Sequence, residues 1–466
     1  MSETEWTEVP VVEGRETDLE TLRAQGRALR ETCPTSTQGE WEAKSGRPSP
    51  EEYVRATHEE RVDDLLALRM ARMSATPFAF FRGSAGIMAA DLASTPDTGL
   101  RAKLCGDAHA GNFGLYGTAE GQVVMDINDF DETITGPWEW DVKRLATSLV
   151  LAGREAGIGE AKCLDAAQDA VRSYRRTVRT LDDMPYLGSW NALTDSSTLG
   201  QVKADDLLEE FVEAVGKAQR NTSAKVVGKA VEEIDERDTD VRRHRFIDDP
   251  PVLWHVPDDV KADVMRGVQE YVPTLRESRH ELLARFRMSD VAFRVVGTGS
   301  VGMRTFVVLL HGNDEEDVVL QVKQAGRSAL AGALGESACE HEGRRIVEGA
   351  RAVQSETDIL MGWTTIRDRH YVVRQFRNLK GSLEPTELPA KLLDDYGRLT
   401  GALLARAHVR TLHPAVLDGY LEDDKDIDEA IGSFAVEYAD RTEADHAELV
   451  TAIKAGRLPC DDGSQG

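Results

Sequence analysis

The sequence predicts an α+β protein in which a small antiparallel sheet lobe is set into a larger, mainly helical lobe. Three observations carry this. Apolar residues recur at helical spacing through much of 50–287 and again through 387–455. From residue 290 the chain changes to short runs rich in Val, Phe and Leu, separated by Gly, Asn and Asp. At 466 residues it has room for two lobes with helical additions, and it carries no internal repeat.

Residues 1–50 are polar, with Pro, Gly, Ser and Thr clustered at 34–50, and read as an acidic arm and a loop. Ser49-Pro50-Glu51-Glu52 is a helix start, and Val54, Val62, Leu65, Leu66, Leu68 and Met70 continue the helical spacing to residue 73. Pro77 is expected to end that helix, leaving Arg82 in a glycine-containing break after an aromatic run. Residues 113–116 and 122–127 read as a hairpin, and 138–182 as one long helix or a pair. Residues 200–240 and 259–287 read as mainly helical. Strands are expected at 290–296, 304–310 and 318–323, a helix at 336–354, strands at 363–366 and 370–376, and helices at 387–411 and 425–455.

Asp plus Glu number 82 against 56 Lys plus Arg, a formal charge of -26. Such a field repels phosphate backbones and anionic lipid, so neither nucleic acid nor membrane is the expected partner. No apolar run reaches the roughly 18 residues a bilayer requires, and the acidic start MSETEWTEVP lacks the features of a secretion leader. Five scattered cysteines without a C-x-x-C pair read as reduced thiols in a cytoplasm, with no structural zinc site.

Four segments carry chemistry. In Gly106-Asp107-Ala108-His109-Ala110-Gly111-Asn112, an Asp is followed five residues on by an Asn, the spacing of a kinase catalytic loop. One compact loop can turn both side chains toward the same phosphate, the Asp accepting a hydroxyl proton and the Asn holding Mg²⁺. Asp126-Ile127-Asn128-Asp129-Phe130-Asp131 follows, and the hairpin would return Asp129 beside Asn112, as a second metal ligand. Three acidic residues in six positions repel one another without a cation, and whether Asp126 or Asp131 joins Asp129 stays open. Gly297-Thr298-Gly299-Ser300-Val301-Gly302 is flanked by strand-like residues on both sides, which suits a loop over nucleotide phosphates better than a dinucleotide turn. Lys323 ends the third strand, where a kinase lysine bridges the α/β-phosphates and a helix glutamate. Glu336, Glu340, Glu342 and Glu348 are the candidates, with Glu348 favoured because Ile346, Val347, Ala350 and Val353 beside it look buried.

Together these segments resemble the protein-kinase-like superfamily, particularly the branch with aminoglycoside phosphotransferases and choline kinases. Gly106–Asn112 is similar to its G-D-x-H-x-x-N loop, Asn128–Asp131 to I-D-[FW]-[DE], and Gly136 to Ala146 to the segment whose aspartate, here Asp141, ties the catalytic loop down. From about Phe78 to Tyr438 the chain also looks like a bacterial family catalogued as domain of unknown function 2252. The order of parts is unusual, since glycine loop and lysine follow the catalytic loop by about 190 positions. The resemblance therefore implies a protein-kinase-like two-lobe fold in circularly permuted order. Residues 1–75 would form an arm and helix, 76–288 the catalytic helical lobe, 289–385 the sheet lobe over ATP, and 386–466 a helical segment completing the catalytic lobe, plus a tail.

The implied activity is phosphoryl transfer from Mg-ATP to a hydroxyl-bearing acceptor. Asp107 would be the base, Asn112 and Asp129 the Mg²⁺ ligands, and Gly297, Gly299, Ser300, Gly302 and Lys323 the phosphate contacts. His109 reads equally as a group in reach of the transferring phosphoryl and as a packed loop histidine. Arg82 reads as a phosphate partner or a surface arginine, and 371–376 as the adenine hinge. A non-catalytic nucleotide-binding regulator on the same fold and a metal-dependent phosphoesterase are the competing readings. The acceptor and the oligomeric state have no signature in the sequence.

Overall fold

The computed structural model describes residues 15, 18–43, 46–59, 61–193, 197–235, 242–295, 301–313, 316–376, 378–422 and 424–460. The fold is mixed α/β with antiparallel sheets. Some helix starts carry side-chain caps. Asp18 accepts the Thr21 N–H (2.8 Å) to open α1 (Leu19–Ala28), and a Ser49/Glu52 capping box opens α2 (Pro50–Ala56).

The helix expected over 50–73 is broken. It resumes as α3 (Leu66–Met73) after a turn in which the Val62 N–H reaches the Gly302 carbonyl (2.8 Å) and Arg61 binds the Val301 carbonyl. Tertiary hydrogen bonds outweigh the helical spacing there. Pro77 also acts differently from expectation. It opens α4 (Pro77–Arg82) at a first-turn position that needs no N–H, with Thr76 as cap, so Arg82 ends a helix.

Next come α5 (Ala85–Leu92), β1 (Arg101–Leu104), the expected hairpin β2 (Phe113–Gly117) and β3 (Val123–Ile127), and β4 (Ile134–Pro137), which pairs with β1. The 138–182 stretch is a pair, α6 (Trp138–Glu155) and α7 (Glu160–Asp183), parted at Gly157, whose φ is +73°. Short helices α8 (Tyr186–Trp190), α9 (Ser197–Gln201), α10 (Leu208–Gln219) and α11 (Ser223–Ala230) follow. The segment expected to stay helical to 240 turns instead into β5 (Val231–Asp235), paired with β6 (Arg242–Phe246). β7 (Leu253–His255) opens the sheet lobe as an edge strand, and α12 (Asp258–Tyr271) and α13 (His280–Leu283) connect it to the remaining strands.

That lobe contains β8 (Arg287–Arg294), β9 (Thr305–His311), β10 (Asp317–Gln324), α14 (Ala331–Leu334), α15 (Glu342–Val353), β11 (Gly362–Ile366) and β12 (Arg369–Phe376). Its six-stranded antiparallel sheet runs β11-β12-β10-β9-β8-β7. Helix α15 starts later than expected because His341 caps it, accepting the Arg344 N–H (3.1 Å). β13 (Gly381–Ser382) then adds to β2, and α16 (Ala390–Val409), α17 (Pro414–Leu421) and α18 (Asp426–Lys454) return the chain to the helical body.

That body is built from both ends of the sequence. Helix α16 lies so close on α7 that a Cβ at Gly401 would stand 2.2 Å from the Ala170 carbonyl oxygen. Arg23 pairs with Asp182 (2.6 Å), and Arg47 bridges Asp91 (2.8 Å) and Asp445 (2.6 Å). One apolar core runs through Leu149, Ala166, Leu393, Leu403 and Phe434; another lies under the sheet at Val291, Val308, Leu320, Val322 and Val373. Among the described residues no helix is long and apolar enough to cross a membrane.

Candidate active site

A cleft of about 840 Å³ brings together Asp107, Asn112, Asp129, Asp131, Lys323 and Arg374. The loop bearing Asp107 is tied down by its own backbone. Cys105 and Gly106 donate their N–H groups to Asp141 on the first turn of α6 (2.8 and 3.1 Å), the bond pattern the resemblance implies. Gly106 has φ +82°, and a Cβ there would fall 2.2 Å from the Glu132 carbonyl oxygen, so no other residue fits this turn.

Arg144, one helical turn beyond Asp141, donates Nε to Asp107 Oδ1 (2.5 Å) and Nη2 to the Phe81 carbonyl (2.7 Å). Its guanidinium also covers the Phe81 ring (4.1 Å). This buried arginine fixes the candidate base, and sequence reading missed that role. Its position in the segment around Asp141 was the available signal.

His109 Nε2 lies 3.7 Å from Asp107 Oδ2, while its Nδ1 has no hydrogen-bond partner among the described residues. Burial, aided by Arg82 and Arg144 and opposed by Asp107 and Asp129, pushes its pKa down to about 4. The ring is neutral at neutral pH. An unfolded histidine takes up its proton near 6.5, so stability should fall as pH drops from about 6.5 to 4, by roughly 3 kcal/mol. Unfolding free energies of wild type and His109→Gln, from urea titrations across that window, should diverge by this amount. Parallel curves would refute it. Glu132, pushed up to about 7 by burial, is common to both proteins and cancels in the difference.

Asn112 links two loops. Its Nδ2 donates to the carbonyls of Asp107 and Asp129 (both 3.0 Å), and its Oδ1 accepts the Asp129 N–H (2.8 Å). A carbonyl oxygen has a second lone pair, which remains for a cation. The hairpin register Phe113↔Ile127 returns the chain so that Asp129 stands beside Asn112, as expected. Asp126, in contrast, is not at the cleft. It is fully buried, ion-paired with Arg406 and bonded to the Ser355 N–H (2.8 Å).

Lys323 Nζ meets Asp131 (2.5 Å) and Asp129 (3.6 Å). Desolvation opposes charge on all three. The two carboxylates nevertheless raise the ammonium pKa, and Lys323, Arg374 and Lys380 together hold Asp129 below the usual carboxylate range. Asp131 takes the opposite shift, upward, because desolvation and the charge of Asp129 outweigh Lys323.

The expected Lys323–Glu348 pair is not formed. Glu348 is exposed and bonded to Arg344 (2.7 Å). Its buried neighbours misled: each helical step turns the side chain about 100°, and one step past buried Val347 faces outward. Of the other candidates, Glu342 pairs with Arg345 (2.5 Å), Glu336 pairs with Arg327, and Glu340 is exposed before α15 begins. Arg345 reaches inward instead, donating to the carbonyls of Thr133 (2.6 Å), Asp131 (2.8 Å) and Gly326 (2.9 Å). It fastens the aspartate loop to the segment after Lys323, and nothing in the sequence singled it out.

Gly297, Gly299 and Ser300 lie outside the described residues. The strands on either side, β8 and β9, are antiparallel neighbours as a glycine hairpin requires. Gly302 has φ +91°, and a Cβ there would be 2.9 Å from the Arg61 side chain. Arg82 lines the cleft and makes no ion pair among the described residues. On β12, Val372 faces the cleft with Ile346 and Met361, and Arg374 Nε donates to Gln321 (2.9 Å). Arg72, Arg82, Arg294, Lys323, Arg374 and Lys380 all line this cleft in a chain of charge -26.

The family model described as "uncharacterized protein conserved in bacteria (DUF2252)" matches residues 61–452. The chain belongs to this family. The match takes in every residue discussed at the cleft, from Arg72 to Lys380. No curated protein and no solved structure matches the chain.

Proposed function

We propose that the cleft binds Mg-ATP and transfers its γ-phosphoryl group to a hydroxyl-bearing acceptor, on a protein-kinase-like fold in permuted order. The observation that carries this reading is the convergence of Asp107, Asn112, Asp129 and Lys323 on one cleft, where cationic and acidic side chains both line the wall. The sequence of parts in the sheet lobe adds support: strand, glycine segment, strand, then a lysine-bearing strand and a helix.

Lys323 holds the α/β-phosphates, and Arg374 and Lys380 add positive charge beside them. Asp129 and the free lone pair of Asn112 Oδ1 are the cation ligands. Mg²⁺ held by these two residues would offset the negative charge of the phosphates. Among the described residues, no three His, Cys, Asp or Glu side chains at the cleft converge closely enough to hold an ion unaided. That suits Mg²⁺, which binds through one or two carboxylates plus substrate phosphates, and disfavours the phosphoesterase reading. Arg144 fixes Oδ1 of Asp107 and leaves Oδ2 to accept the acceptor's hydroxyl proton. The acceptor oxygen then bonds to the γ-phosphorus as the β–γ P–O bond breaks and ADP leaves. Neutral His109 beside Oδ2 adds no charge that would weaken this base.

Calorimetric titration with ATP should show binding that requires Mg²⁺. Loss of the charged hydrogen bonds in Lys323→Ala should weaken it by about 10- to 100-fold. Absence of binding at millimolar nucleotide would remove this reading.

A further inference from the structure

We propose that His244, His311 and Asp317 form a binding site for one divalent transition-metal ion, of the zinc class, remote from the cleft. Asp317 opens β10, its register partner His311 closes β9, and His244 comes from β6 of the separate β5–β6 hairpin. Two parts of the chain, 73 positions apart, thus meet at one point.

Both imidazoles aim Nδ1 at the same carboxylate, His244 at Oδ2 (2.7 Å) and His311 at Oδ1 (2.8 Å), with ring centroids 4.8 Å apart. One donor atom from each residue lies within 4.8 Å of the others. Donors around a tetrahedral ion with bonds of about 2.0–2.2 Å stand roughly 3.2–3.5 Å apart, between the 2.7–2.8 Å ring–carboxylate contacts and the 4.8 Å span of the cluster, so side-chain rotation without backbone movement can close the site. The ion takes the place of the protons now between rings and carboxylate, each ring then carrying its proton on Nε2.

The carboxylate is 3% exposed, and the two rings are 16% and 33% exposed. The anionic ligand is therefore buried and fixed, while the rings leave open positions for water. Two imidazoles and one carboxylate suit Zn²⁺ and Co²⁺ over Mg²⁺. Lys323 is six residues further along β10, roughly 20 Å away, so the ion would not be part of the cleft. Its effect would be to staple the β5–β6 pair to the facing ends of β9 and β10. Cysteine spacing gives no sign of the site, since no cysteine takes part.

The test uses untagged, full-length protein stripped with chelator and kept in millimolar Mg²⁺ to occupy the cleft carboxylates. Titration with Co²⁺, read by visible absorption, and competition with Zn²⁺ should give one equivalent bound tighter than about 10 µM, with a higher thermal midpoint. His244→Gln and His311→Gln, at partly exposed positions, should each weaken binding about 100-fold or more and abolish the thermal shift. Asp129→Asn should keep both. Weaker binding by the wild type, or unchanged affinity in both histidine variants, overturns the proposal.

Discussion

Asp107→Asn should lower phosphoryl transfer by roughly 10²- to 10⁴-fold, the range for loss of a general base, while leaving Mg-ATP affinity unchanged. The amide keeps an oxygen where Arg144 Nε now donates, so the loop should hold its place. The expected stability cost is about 1–3 kcal/mol, the replacement of a charged hydrogen bond by a neutral one. ATP turnover with a panel of hydroxyl acceptors, paired with nucleotide titration on the same preparation, separates an enzyme from a protein that only binds nucleotide. Equal turnover in wild type and variant would remove Asp107 from the chemistry. Affinity lost together with turnover would mean that the carboxylate serves binding.

The largest stability effect should come from Asp126→Ala. Asp126 and Arg406 are both fully buried, and Asp126 also accepts from the Ser355 N–H and hydroxyl and the Ile127 N–H. Removing the carboxylate strands the guanidinium without a counter-charge, for a loss of about 3–5 kcal/mol. The double change Asp126→Leu with Arg406→Met should restore part of it, because it removes both buried charges together while leaving the Ser355 and Ile127 N–H groups without their acceptor. Urea midpoints of the single and double variants decide the matter. A single-variant loss under about 1 kcal/mol would show that water reaches the pair.

The parts of the site that sequence could reveal are those fixed by local spacing. Asp107 and Asn112 share one loop, and the β2–β3 register places Asp129 beside them. The strand ending near Lys323 was legible because Val318-Val319-Leu320 and Val322 form a β-branched and apolar run between polar turns. What stayed hidden depends on distant partners. Lys323 finds Asp131, 192 positions away, in place of any glutamate on the following helix. Arg144 and Arg345 look like surface residues until the carbonyls and carboxylate they serve are brought to them. Likewise the break in the helix at 57–62 answers to Gly302, and β5 and β6, with VEEID and RRHRF, carry no alternating apolar pattern.

The interleaving of the two ends also sets a timetable. A ribosome releases the Asp107 loop, α6 and α7 before the sheet lobe, and only after that lobe the helices that cover Leu149, Ala166 and Ala170. At about 5–20 residues per second, those apolar faces wait on the order of tens of seconds for α16 and α18. Chaperones that shield exposed apolar surface therefore have their longest claim on this protein in mid-synthesis. The half-finished chain still lacks Lys323, Arg374 and Lys380, and with them one wall of the cleft.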